Sequence, residues 1–227
     1  MGSISSTSLL VAVVVAAGAS ASCTSPPNST STLTQIRTTA TSPNVGADVA
    51  PSPIVGTVRL DAALKDVFPT IDALARSARS ELVVRGIVTD VAYVFDGQLA
   101  RTKLTVSVEQ SWRGPAAPQV VVWEDGGFVP AADFAAANAD KQLASRVTGW
   151  IDVRFEGASH PHVGDHVVLF LARNPNPGQQ GTYQEVSSVY GRLTQDPGGA
   201  SYSRAVAESR WQRTMSVADL GVALPGL

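Results

Sequence analysis

Residues 81–95 read ELVVRGIVTDVAYVF, and residues 102–110 read TKLTVSVEQ. β-Branched and aromatic residues dominate the first stretch, and apolar and polar residues alternate in the second, which is typical of half-buried strands. Asp96-Gly97 lies between them and favours a hairpin turn, because both residues tolerate positive φ. Gly86 interrupts the first stretch and predicts a bulge or bend. Together these residues predict one long antiparallel hairpin.

Further strand-like segments follow the hairpin and are separated by Gly, Pro and Asp. They are residues 119–124, 150–155, 166–171 and 183–194. Five to seven short antiparallel strands predict a mainly β domain over residues 81–195, a small antiparallel barrel or sandwich. The Ala-rich residues 131–144 predict a helix at the rim of the sheet.

Helical patterns flank the predicted β domain on both sides. Residues 54–80 are interpreted as a helical lead-in, with helical spacing over 60–67 and 70–80 and Thr70 as an N-cap. Residues 196–227 are interpreted as a helical tail, in which Ser216 begins a capping sequence. The sequence therefore predicts a β domain with flanking helices.

The N-terminus has the pattern of an export signal. The apolar run LLVAVVVAA (residues 9–17) is shorter than the ~20 residues of a spanning helix, and a tract of small residues follows it. That tract ends at Cys23, the only cysteine of the chain, so an internal disulfide and a multi-cysteine metal site are both excluded. Residues 1–22 are thus predicted to be a signal peptide.

A signal whose small-residue tract ends in the sole cysteine resembles that of bacterial lipoprotein precursors. The excess of arginine over lysine and the abundant Ala and Val suggest a GC-rich, actinobacterial-like source. The resemblance implies lipidation of Cys23, cleavage before it, and attachment to the extracytoplasmic face of the cell membrane. The alternative is ordinary secretion after cleavage at Ala19-Ser20-Ala21. Residues 23–53 are rich in Ser, Thr and Pro, and they predict a disordered tether behind the anchor.

The order of elements carries a second resemblance, over about residues 70–195. A helix leads into ELVVRGIV, and a V-x-V-x-x-x-W-R-G turn, a Gly-Gly strand end, VGDHVVLFL and Tyr190-Gly191 follow. This order is similar to bacterial secreted domains of unknown function and, through them, to netrin-like and metalloproteinase-inhibitor-like barrels of oligonucleotide/oligosaccharide-binding (OB) topology. Those inhibitors place an N-terminal cysteine on the target's zinc. That route does not carry over, since the predicted domain contains no cysteine.

The charge and the motif content of the sequence exclude some classes of function. The formal net charge is −2, and no run of Lys or Arg could neutralise a phosphate backbone, so we expect no nucleic-acid partner. Catalytic and phosphate-binding motifs of the recognisable kinds do not occur in the sequence. Glu124-Asp125 lies at a strand end and is interpreted as a solvated turn. We therefore expect a non-enzymatic protein without a cofactor.

All three histidines fall within one heptapeptide, HPHVGDH at residues 160–166. In an extended loop, His160 and His162 would project to the same side, and Asp165 or His166 could complete three ligands for zinc or copper. The alternative is that Val163-Gly164-Asp165 is a turn and His166 is the first residue of the next strand. The first interpretation suggests a secreted metal-binding protein or metal-dependent enzyme.

Aromatic residues at strand ends offer another kind of site. Rings at such positions in barrels can stack on sugars or anchor a protein partner. They are Tyr93, Trp112, Trp123, Phe128 and Trp150. The alternative is that several of them plug the ends of the barrel. The main hypothesis is a membrane-anchored lipoprotein with a non-catalytic binding module, whose partner is an envelope protein or glycan.

Overall fold

The computed structural model describes residues 51–60, 68–138, 148–155, 157–205 and 211–224. The predicted signal peptide, Cys23 and residues 24–50 of the predicted tether lie outside these ranges. The described chain is mainly β, in two sheets with three short helices, which confirms the predicted fold class at that level.

The strands of the larger sheet include the predicted hairpin and most of the predicted strands. They are β2 (Leu82–Phe95), β3 (Ala100–Arg113), β4 (Gln119–Asp125), β7 (His166–Arg173), β8 (Tyr183–Glu185), β9 (Arg192–Gln195), β10 (Ser201–Ser203) and β11 (Thr214–Ser216). The remaining elements are the three strands of the smaller sheet and the helices. They are β1 (Ile54–Leu60), β5 (Gly127–Pro130), β6 (Trp150–Phe155), α1 (Ile71–Arg76), α2 (Ala131–Ala137), α3 (Val217–Ala223) and the 3₁₀ helices Pro177–Gln179 and Ser188–Gly191.

The β2–β3 hairpin has the predicted turn and bulge. Asp96 Oδ1 accepts hydrogen bonds from the backbone N–H groups of Gln98 and Leu99, and Gly97 has a φ of 87°. The register of the two strands shifts between Arg85 and Gly86, as expected for a bulge. A long twisted hairpin of this kind forms the centre of the larger sheet.

The larger sheet is not a closed barrel, although its pairings form a ring. The order is β11-β10-β9-β7-β2-β3-β4-β8, and β8 also pairs with β7. The sheet departs from the predicted small antiparallel barrel in two respects, since it is not closed and it contains a parallel strand pair. The β4–β8 and β1–β6 pairs are parallel, and β8 is only three residues long, with just two register partners on β4. Because β8 is so short, it links only a small part of β4 to β7.

Strand β7 separates two hydrophobic cores, which explains why its sequence is apolar throughout. Val167, Leu169 and Leu171 face the interior of the ring of strands, together with the inward residues of β2, β3 and β4. Val168 and Phe170 face the opposite side, where α1, α3 and Tyr202 of β10 cover the sheet. Successive side chains of a strand point to opposite faces, so a strand buried on both faces shows no alternation.

The flanking segments are less helical than the sequence predicts. Ile54–Leu60 is an edge strand, because its β-branched residues suit a parallel pairing with β6. The tail contains two strands and only one short helix. Helix α1 has its predicted cap, since Thr70 accepts from Ala73 N, and Ser216 caps α3. Residues 61–67 and 139–144 of the predicted helices lie outside the described residues.

Candidate functional site: a buried carboxyl cluster and an open cleft

Three ionisable side chains meet in the interior of the ring of strands, and we call them the carboxyl cluster: Glu124, Glu185 and Arg192. Their side chains are only 3, 0 and 5% exposed. Arg192 Nε lies 2.9 Å from Glu124 Oε1 and 3.9 Å from Glu185 Oε1. The guanidinium also donates to the Ser159 carbonyl oxygen at 2.7 Å, so it is fixed by the chain as well as by charge.

Strand geometry brings these residues together. On β4, Val120, Val122 and Glu124 are the buried positions of an alternating strand, so Glu124 points inward where an apolar residue is usual. Strands β4 and β8 pair in parallel with Trp123 opposite Gln184, which places Glu185 beside Glu124. The interpretation of Glu124-Asp125 as a solvated turn was therefore wrong for Glu124, while Asp125 is exposed. Continued alternation along QVVVWE was the signal that could have identified Glu124.

One positive charge faces two carboxyl groups in this cluster. Within the described residues, Glu185 Oε1 and Oε2 have no hydrogen-bond partner, and the Arg192 Nε–Glu124 Oε1 contact is an ion pair without hydrogen-bond geometry. A proton on Glu185 would supply the missing donor toward Glu124. Burial, and then the neighbouring Glu124, raise the pKa of Glu185 well above its ordinary value, while Arg192 opposes the shift. The folded protein therefore favours a neutral Glu185.

A second set of polar side chains lies on β6 and in the loop that follows it. His160 Nε2 lies 2.7 Å from Asp152 Oδ1, and Arg154 Nε lies 3.2 Å from Asp152 Oδ2. The His160 ring packs on Phe128, with centroids 4.4 Å apart. Burial, followed by the charges of Glu124 and Asp152, raises the pKa of Tyr93 to about 12. Tyr93 therefore stays neutral and cannot serve as a base at ordinary pH.

The structure does not gather the histidines into one site. His160 contacts Asp152, whereas His162 is exposed; its backbone N–H donates to Asp165 Oδ2 at 2.8 Å, and its Nδ1 lies 3.8 Å from the same oxygen. His166 begins β7 opposite Ile87, as the alternative interpretation predicts. In the part of the chain that is described, no three His, Cys, Asp or Glu side chains are grouped so that they could hold a metal ion.

The predicted aromatic contacts have separate locations. Tyr93 and Phe128 are buried and meet edge to face at 5.0 Å, so they belong to the packed interior. Trp150 packs against the same interior core. Trp123 is half-buried on β4. Trp112 is the one of the five that lines the described cleft.

That cleft is open to solvent and has a volume of about 250 Å³. One wall belongs to the β2–β3 hairpin and β10, and the other belongs to α3. Its lining residues are cationic, neutral polar, aromatic or aliphatic: Arg85, Gln110, Trp112, Tyr202, Val217, Leu220 and Gly221. The register pair Arg85–Gln110 places both side chains beside Trp112 on the outer face of the hairpin. Sequence reasoning missed this site because α3 is brought there only by the tertiary fold.

The cleft places a partly exposed arginine side chain next to apolar residues. Arg85 Nε and Trp112 Nε1 are themselves shielded from solvent and have no hydrogen-bond partner among the described residues. Arg85 Nε lies 3.3 Å from Glu109 Oε2, with both side chains about one-third exposed, and such partly exposed ion pairs are weak. Leu220 and the Tyr202 ring supply apolar contact. The cleft can therefore accept an anionic group attached to an apolar body.

The fold and the two sites together define a mainly β protein with a buried carboxyl cluster and an open amphipathic cleft. In comparisons with family models, curated proteins and solved structures, nothing matches this chain. No helix within the described ranges has the length and apolar character needed to cross a bilayer.

Proposed function

We propose that this protein is a membrane-anchored extracytoplasmic lipoprotein whose β domain is a non-catalytic binding module. The observation that carries the binding role is the cleft at Trp112, with its cationic and apolar walls. The carboxyl cluster is a poor candidate for catalysis, because side chains that are at most 5% exposed cannot meet a substrate in the closed fold. The anchor rests on the apolar run of residues 9–17 and on Cys23.

The strand pairings support an OB-type module. The proposal rests on four pairings: a three-stranded meander (β2, β3, β4), an antiparallel β2–β7 pair, a parallel β4–β8 pair and an antiparallel β7–β8 pair. The α3 side of the sheet, where the cleft lies, is outside this ring. The ligand is therefore proposed to bind the outer surface and not the interior.

The anchor is tested by replacing Cys23 with Ala in the full chain expressed in a bacterium. We expect the unaltered protein to partition with the membrane and to carry a diacylglyceryl group at Cys23, and the variant to be released. The measurement is membrane fractionation with mass analysis of the N-terminal peptide. An unmodified N-terminus, with both proteins in the medium, would exclude the anchor and leave a secreted binding module.

The cleft is tested with hexanoate, a small carboxylate with an apolar chain, and hexanamide, its neutral analogue. We expect hexanoate to bind more tightly than hexanamide, and Arg85→Gln to weaken hexanoate binding by about tenfold or more, because a hydrogen bond to a charged group contributes about 1.5–3 kcal/mol. Titration calorimetry or ligand-detected NMR gives the affinities.

Arg173→Gln is the matched control for the cleft, since the Arg173 side chain is 80% exposed and pairs with Glu81 away from α3. This variant should bind hexanoate as the unaltered protein does. Equal binding of hexanoate and hexanamide, or equal losses in the two arginine variants, would show that the cleft has no anion site.

A further inference from the structure

Residues 183–191 bridge the interval between β4 and β7, and we call them the latch segment. Strand β8 at its start has two register partners on β4 and three on β7. Val186 N donates to the Phe170 carbonyl oxygen at 2.8 Å, which continues the attachment to β7. The segment thus has fewer backbone pairs with β4 than with β7, and its attachment to β4 depends more on side chains, such as the Ser188 hydroxyl, which donates to Asp125 Oδ2 at 3.5 Å.

The backbone of the latch segment adopts an uncommon conformation directly after β8. Ser187 has a φ of 67° and Ser188 a φ of 55°, in the left-handed region that favours glycine. Two consecutive non-glycine residues persist there only where the surroundings hold them in place. Gly191 closes the segment against the Val186 carbonyl oxygen, where a Cβ would not fit. The closed segment is therefore under backbone strain.

The carboxyl cluster holds both ends of this strained segment. Glu185 ends β8 and Arg192 begins β9; Arg192 contacts Glu124 of β4 as well as Glu185, and the β4–β8 pairing places Glu185 beside Glu124. Charged and titratable groups of the surrounding elements act on this cluster or on its neighbours Asp125 and Tyr93. They are Asp125 on β4, Asp165 before β7, Tyr93 on β2, Arg101 on β3 and Asp152 on β6. Three of these five are acidic side chains, so a second negative charge on Glu185 is poorly compensated.

We propose that the latch segment is operated by a proton on Glu185: protonated, it closes the seam between β4 and β7, and ionised, it releases from β4. In the closed form, the protonated Glu185 carboxyl donates a hydrogen bond to Glu124, and Arg192 is the counter-charge beside both groups. Loss of that proton leaves two adjacent carboxylates with one guanidinium and no donor between them. Charge repulsion and the strain at Ser187 and Ser188 then favour release.

The pH dependence has a definite sign. The pKa of Glu185 is raised in the closed form above its ordinary value of 4.5. The stabilisation is therefore complete below that ordinary value, declines as the pH rises, and is lost above the closed-state pKa. Within that window the opening constant should rise by up to about tenfold per pH unit. Asp196 has the opposite effect on the stability of the folded protein, because hydrogen bonds from Ser201 and Ser203 lower its pKa. Its contribution to stability is present above its ordinary pKa and is lost as the pH falls.

The test is hydrogen–deuterium exchange of the whole protein as a function of pH, corrected for the intrinsic rate. We expect peptides covering residues 183–186 and 122–124 to gain exchange from mildly acidic to mildly alkaline pH, relative to the β2 peptide. Glu185→Gln should abolish this gain, because the amide keeps a donor toward Glu124 and cannot ionise. An infrared band of a protonated buried carboxyl should be present in the unaltered protein and absent in the variant.

Glu124→Gln provides a second variant if Glu185→Gln fails to fold, since it leaves a single carboxyl beside Arg192 and should also remove the gain. Glu109→Gln, a substitution of a partly exposed glutamate on β3, is the matched control and should keep it. Persistence of the gain in both cluster variants, or its absence in the unaltered protein, would overturn the latch.

Discussion

Replacement of Arg192 by Met is expected to destabilise the protein by about 3–5 kcal/mol at neutral pH, because removal of one partner leaves a buried charge uncompensated. Arg192 is 5% exposed and is the cation that contacts Glu124 and Glu185. Methionine fills much of the same volume but supplies neither the charge nor the hydrogen bond to the Ser159 carbonyl oxygen. Denaturant unfolding of the purified protein gives the difference in free energy of unfolding.

The loss in the Arg192→Met protein should become smaller at acid pH, since both carboxyls can then be neutral. Arg154→Met is the matched control: the Arg154 side chain is 47% exposed and lies 3.2 Å from Asp152, so its ion pair should contribute no more than about 1 kcal/mol. Losses of equal size in the two variants, or a loss at Arg192 that does not vary with pH, would contradict the assignment of Arg192 as the counter-charge.

Replacement of Gly86 by Ala is expected to cost about 3 kcal/mol, at the upper end of what overpacking usually costs. A Cβ at this position would overlap the Ser107 carbonyl oxygen and approach Val106 Cγ1 at 2.8 Å. The Ser107 oxygen belongs to the main chain of β3, so the hairpin itself would have to shift at the bulge. A lower midpoint of thermal and denaturant unfolding is the expected readout.

Gly178→Ala serves as the control for Gly86, because a Cβ there would meet nothing within 4 Å and no positive φ is required. That substitution should leave stability unchanged or raise it by about 0.4–1 kcal/mol through the unfolded state. If the Gly86 and Gly178 variants were equally stable, the close approach of β2 and β3 at the bulge would not exist in solution.

Local patterns predicted the centre of the fold well. The residues of the β2–β3 hairpin, its turn at Asp96-Gly97 and the bulge at Gly86 all carry their information within a few neighbouring positions. The same holds for Thr70 and Ser216, whose caps depend only on a hydroxyl three residues before a free N–H. Short-range chemistry of this kind needs no knowledge of the rest of the chain.

The candidate sites were harder to predict, because neither is local in the sequence. Glu124, Glu185 and Arg192 come from three strands, and only the parallel β4–β8 register places the two carboxyls together. Conversely, the compact heptapeptide at residues 160–166 looked like a site, yet its histidines are separated by the turn and by the pairing of His166 in β7. Proximity in sequence was a poor guide to proximity in space.

The sequence by itself determined that the domain is mainly β, where its central hairpin turns and where its helices are capped, because hydrophobic period and turn chemistry act between near neighbours. Tertiary structure alone decided that β4 and β8 run parallel, that the ring of strands stays incompletely closed, and that α3 completes a cleft beside Trp112. These features depend on contacts between residues far apart in the chain. Their energies are set by burial and charge in the assembled fold, which no local pattern records.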